Sequence, residues 1–107
     1  MNGINKVILV GRLGAEPKVI NGSYATFSVA TSDTWKDKTT GEKKELTQWH
    51  NIFIANQGLM KIVEFLHKGS LVYIEGSLRT RDNNGKTQTD VVVSAYSGEL
   101  TLLESKK

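Results

Sequence analysis

The apolar positions of this chain fall into short strand-like runs far more than into helical stripes. In the first run, residues 5–13, Val7, Ile8, Leu9 and Val10 form a near-continuous apolar stretch before Gly11. Gly14 and Pro17 bend the chain, and residues 18–20 are expected to resume pairing beyond the bend. Asn21-Gly22 is a tight-turn signal. Residues 24–32 then alternate, with Ala25, Phe27 and Val29 on one face and Tyr24, Thr26, Ser28 and Ala30 on the other. This parity makes Phe27 a core residue. The polar stretch 33–45 holds one tryptophan and reads as a long loop. Strand character returns over 46–55 through Trp49, Ile52, Phe53 and Ile54.

One segment has helical spacing. Leu59, Ile62, Val63 and Leu66 stand at i, i+3, i+4 and i+7, which predicts a helix over 58–67. Gly69 suits a left-handed cap, with His67 and Lys68 in the last turn. Strands follow at 71–81 and 87–94, joined by the turn-forming loop 82–86, and a short apolar run ends the pattern at 100–103. Three strands, a helix and two strands give an all-β fold with one helix. This is the order of the five-stranded OB-fold barrel, with its helix between strands 3 and 4. With no repeat, low-complexity tract or second domain, the expected organisation is one OB-fold domain over 1–104 and a polar end at 105–107.

Composition narrows the function classes. The 107 residues include no cysteine, which excludes a disulfide framework and thiolate metal sites. The run from Val7 to Val10 is too brief for a secretory or membrane-spanning segment, so the chain reads as cytoplasmic. Nor is the polar face of the single helix basic enough for membrane binding. A net charge of +3 permits a nucleic-acid partner without demanding one. Only two histidines occur, His50 and His67, and neither a metalloprotease, nucleophile-elbow nor phosphate-loop signature is present. Asp90 and Glu75 have no visible carboxylate partner. No enzyme, metal or cofactor is expected.

Several blocks in register then carry a family likeness: Asn5-Lys6-Val7-Ile8-Leu9-Val10-Gly11, Ala30-Thr31-Ser32 ahead of Trp35, and Thr47-Gln48-Trp49-His50. Lys68-Gly69-Ser70-Leu71-Val72-Tyr73-Ile74-Glu75-Gly76 and Leu78-Arg79-Thr80-Arg81 continue it. Together they resemble the bacterial single-stranded-DNA-binding protein family from residue 5 to about residue 94. The resemblance implies an OB fold and sequence-nonspecific binding of single-stranded DNA in replication, recombination and repair, in the cytoplasm at the nucleoid. It also implies a homotetramer built as a dimer of dimers, paired along the first strand, with His50 at a subunit contact.

Such a protein needs aromatic faces for bases and cations for phosphates. Trp35, with no apolar partner nearby in sequence, is the first stacking candidate. By parity alone Trp49 belongs in either the core or the groove; the resemblance implies the DNA face. Phe53 and Phe65 read as core. Phosphate candidates are Lys36, Lys38, Lys43 and Lys44 in the long loop, Arg79, Arg81 and Lys86 around the second hairpin, and Arg12. Segment 33–45 carries four lysines against four acids and nets zero, so Arg79 and Arg81, two apart on one strand face, are the stronger pair. Three departures from the family stand out. Ala55 occupies a position where relatives often place an aromatic, leaving Phe53 as a substitute on the same face. Residues 82–86 lack a tryptophan. The acidic tip that recruits other enzymes is missing, so tail-dependent partners are not expected. An RNA-binding OB module and a protein-interaction scaffold are the alternatives.

Overall fold

Sequence alternation becomes the inside and outside of a closed barrel. A computed structural model of the chain describes residues 3–94 and 98–103, so the polar end at 105–107 lies outside the described residues. The strands are β1 (Val7–Leu13), β2 (Lys18–Ile20), β3 (Tyr24–Lys36), β4 (Lys43–Ala55), β5 (Leu71–Asn83), β6 (Lys86–Ser94) and β7 (Glu99–Leu102). Ala25, Phe27 and Val29 of β3 point inward, as their parity requires, against Ile52 and Ile54 of β4. Val72 and Ile74 of β5, Val91 and Val93 of β6, Leu13 and Leu100 complete a dry core.

Pairing runs β1–β3–β4–β6–β5 and returns from β5 to β1, so five strands close the barrel. Only β4–β6 is parallel among these five, at Ile52↔Val91 through Ala55↔Ser94. The two remaining strands are additions: β2 pairs β3 after the Pro17 bend, and β7 pairs β5. Asn5 prolongs β1 with a side chain that mimics backbone, its Nδ2 donating to Leu78 O (2.9 Å) and its Oδ1 accepting from Leu78 N (2.8 Å).

Several expectations need correction, first among them the helix. The helix expected over 58–67 contracts to a 3-10 turn (Gln57–Leu59) and one α-helical turn, α1 (Met60–Val63). Asn56 starts it, its side chain accepting from Gly58 N at 2.9 Å. It ends early because bonds from Phe65 N to Ile62 O and Leu66 N to Val63 O reach back three residues, not four. Val63 and Leu66 still reach the core, but Phe65 points out and is 45% exposed, contrary to its reading as core. The helix does follow the third barrel strand, β4.

The second correction concerns 33–45, which is no loop. β3 and β4 stay paired far past the barrel, from Ala25↔Ile54 out to Lys36↔Lys43, as a two-stranded arm. Only residues 37–42 turn. There Asp37 Oδ1 accepts from Thr39 N (2.7 Å) and Thr40 N (3.2 Å), and Asp37 N bonds Glu42 O at 2.8 Å. The second hairpin is also tighter than expected. β5 and β6 pair to Asn83↔Lys86, leaving Asn84 and Gly85 as a two-residue turn with φ of 53° and 82°.

Candidate nucleic-acid interface

Outward positions on the β3–β4 ribbon form the main aromatic surface. Trp49 stands opposite Ala30, Asn51 opposite Ser28, and Phe53 opposite Thr26. The residues facing the aromatics are small, so the rings are not covered from across the strand. Trp49 is 60% exposed, which decides its parity in favour of the outer face. Phe53 is half-buried and packs on Tyr24, ring centroids 5.6 Å apart and tilted by 34°. Tyr24 is itself exposed and joins the surface, although sequence reasoning gave it no role. Its outward parity beside Phe53's partner Thr26 was the available signal.

Trp35 sits in the arm's paired strand, not in a loop. It is opposite Lys44 and 49% exposed. Alternation puts it on the ribbon face opposite Trp49's, since its cross-strand partner Lys44 shares its face and stands an odd number of positions from Trp49 on β4. An open cleft of about 400 Å³ lined by Thr34, Trp35, Lys36, Gly41 and Lys43 borders its ring. The arm's charge does not simply cancel. Glu42 lies 3.7 Å from Lys44, and Asp37 holds the turn. Among the described residues Lys36, Lys38 and Lys43 make no ion pair.

The β5–β6 hairpin supplies a second cationic surface. Arg79, Arg81, Lys86, Gln88 and Asp90 share one face through Arg79↔Asp90, Arg81↔Gln88 and Asn83↔Lys86. Between this hairpin and the ribbon lies a pocket of about 220 Å³, with Thr26, Asn51 and Phe53 on one side and Arg81, Gln88 and Asp90 on the other. Arg81 Nε donates to Asp90 Oδ2 at 2.8 Å, and Gln88 Nε2 to Asp90 Oδ1 at 3.2 Å. The Asp90 side chain is only 12% exposed, that of Arg81 60%. Arg81 therefore reaches the groove as half of an ion pair, while Arg79 and Lys86 make none among the described residues. The sequence did not reveal this link. Arg12 is engaged at the barrel's end, where its Nη1 donates to Gly69 O at 2.9 Å. This bond orients one nitrogen of an exposed guanidinium without neutralising its charge.

His50 is half-buried and hydrogen-bonded to Thr31 across the ribbon (Nε2 to Oγ1, 2.8 Å). Elsewhere, β1 leaves an edge open. β5 covers one side of Val7–Arg12, but β3 meets only Arg12 and Leu13. Ile8 (55% exposed) and Val10 (50%) stand on the outer face there, across from Glu75 and Tyr73. Lys6 Nζ approaches Glu75 Oε1 to 2.6 Å, and Tyr73 OH donates to Glu75 Oε2 at 3.4 Å. The hydrogen bond from Lys6 holds the Glu75 carboxyl below its ordinary range, and the same bond raises Lys6. Desolvation first, and then the Glu75 charge, push Tyr73 upward.

Known proteins match this arrangement. The chain is 45% identical over 113 aligned positions to a single-stranded DNA-binding protein of Rickettsia felis, covering 96% of this chain and 74% of that one. A Rickettsia conorii protein of the same description is also 45% identical over 118 positions, with the same coverage. Among solved structures, a Plasmodium falciparum SSB in complex with ssDNA superposes with a TM-score of 0.86 at 38% identity, covering 97% of this chain and 98% of that one. A deletion mutant of the single-stranded DNA binding protein from Thermus aquaticus gives 0.73 at 25% identity, covering 97% and 52%. The model of the single-strand binding protein family spans residues 4–101, nearly everything described above, and the chain belongs to that family.

Proposed function

We propose that this chain binds and protects single-stranded DNA without sequence preference, as a non-catalytic OB-fold barrel serving replication, recombination and repair. The observation that carries the reading is the β3–β4 ribbon: two half-exposed tryptophans, with Lys36, Lys38 and Lys43 near Trp35 making no ion pair among the described residues. Bases stack on Trp35, Trp49 and Phe53, and phosphates meet Lys36, Lys38, Lys43, Lys44, Arg79, Arg81 and Lys86. Arg12, exposed and oriented by its bond to Gly69 O, remains a further phosphate contact at the barrel's end. The Plasmodium relative was solved with ssDNA, which supports the choice of ligand. Because the two tryptophans occupy opposite ribbon faces, a strand using both passes around the arm's edge. This favours wrapping over lying flat.

The open β1 edge, with Ile8 and Val10 beside it, suits pairing with a second copy, and the outer face around Tyr73 suits a further dimer contact. A dimer of dimers follows, in which His50 meets a neighbouring subunit. Among the described residues no helix is long and apolar enough to cross a membrane.

The test is tryptophan quenching during titration with oligo-dT of about 35 nucleotides at low and high salt, with oligo-U as competitor. Saturable quenching that weakens with salt and favours dT supports the proposal. Equal or better competition by oligo-U would shift the ligand to RNA, and no binding at low salt would leave a protein-interaction scaffold.

A further inference from the structure

Gly14 has no backbone reason to be glycine. Gly22, Gly41, Gly69 and Gly85 occupy left-handed conformations, whereas Gly14 does not. Room is what it provides. A Cβ placed there would overlap Trp49 Cζ3, lie 2.9 Å from Trp49 Cη2, and sit 3.2 Å from Ser28 Oγ. Gly14 is fixed against β3 by its N–H bond to Ser28 O (3.0 Å). The indole, rooted on β4 opposite Ala30, thus extends across β3 and rests its six-membered ring on the Gly14 backbone. The ring reaches from β4 across β3 to the residue that follows β1 and remains 60% exposed.

We infer that Gly14 is a positioning residue for base stacking, its absent side chain forming the slot that holds the Trp49 ring. The inference deepens the proposed single-stranded-DNA reading and rests on it. The atoms a methyl group would strike belong chiefly to a solvent-facing indole, not to backbone. The ring is therefore what yields to a larger residue, and the barrel is left standing. A tilted or mobile indole offers a base less overlap and must be ordered again on binding.

Two measurements test this. In a Trp35→Phe background, where Trp49 is the sole indole, time-resolved anisotropy of the free protein reports ring motion without DNA. Gly14→Ala is expected to increase fast local depolarisation while the cooperative melt survives. Affinity for labelled oligo-dT is then measured in a double-mutant cycle. Gly14→Ala weakens binding about fivefold with Trp49 present and by less than about twofold in Trp49→Ala, as coupling through the ring requires. Equal losses in both backgrounds, unchanged anisotropy, or collapse of the melt would each overturn the inference. Failure of the DNA-binding reading is distinct: the unsubstituted chain then ignores oligo-dT, while the anisotropy still decides whether Gly14 holds the ring.

Discussion

Asp90→Asn separates the two roles of the Arg81–Asp90 pair. In the native groove the carboxylate neutralises the guanidinium, so Arg81 displaces few counterions from a bound strand. Asparagine keeps the shape and one acceptor but removes the charge. Arg81 is then free to neutralise one additional phosphate, and for single strands each phosphate adds about 0.7 to the slope of log K against log salt. Between 50 and 200 mM salt that steepening amounts to roughly a 2.5-fold greater loss of affinity, together with tighter binding at the low-salt end. Stability moves the other way. The lost charge-assisted bond, discounted because Arg81 is largely solvated, is worth about 1 kcal/mol, or about 4–8 °C in melting temperature for a domain of this size. Fluorescence titrations at several salt concentrations and a thermal melt read both numbers. A slope no steeper than that of the native chain refutes the compensation argument. A steeper slope that persists in Arg81→Gln/Asp90→Asn shows that some other cation is responsible.

Three other expectations follow from the geometry. Val10→Asp on the open β1 edge is expected to lower the oligomeric state seen by analytical ultracentrifugation while the far-UV CD spectrum is kept. The depressed Glu75 carboxyl contributes stability that is present above its unfolded value of 4.5 and is lost as pH falls through its lower folded value. The raised Lys6 contribution is present below 10.5 and lost as pH rises past its folded value, so Glu75→Gln should flatten both limbs of a stability–pH profile; retained limbs would assign them elsewhere. Ile54→Ala, at a fully buried position, is expected to cost about 2–5 kcal/mol in urea denaturation, and a cost below about 1 kcal/mol would contradict the packing described.

The barrel was legible wherever one strand face is wet and the other dry. Residues 24–32 alternate because β3 lines the core, and Asn21-Gly22 and Asn84-Gly85 mark turns that need positive φ. The arm was not legible, since both of its faces meet solvent and no hydrophobic alternation is imposed on 33–45. For the same reason Trp35 read as a loop residue. The helix was over-read because Leu59, Ile62, Val63 and Leu66 satisfy helical spacing, although of these only Val63 and Leu66 are buried. So short a segment lacks the intrinsic stability to continue without tertiary support. Parity alone left Trp49 undecided between core and surface, and its exposure puts it on the outer face. The Arg81–Asp90 link stayed hidden because it joins residues on two strands whose register the sequence does not state.

The pairing of β1 also sets the order in which the molecule can form. β3 with β4, and β5 with β6, are hairpins whose partners lie close in sequence and zip locally. β1 instead closes the barrel against β5, with Val7 opposite Gly76, after most of the chain has been made. Contacts of such sequence separation bear the largest loop-closure cost and slow the search for the native state. Closure of the N-terminal strand is therefore expected late in folding, with φ-values near zero at Val7 and Leu9. Until it occurs, a β5 edge and the apolar faces of Val7 and Leu9 stay uncovered, so a newly made chain passes through its most aggregation-prone state just before completion.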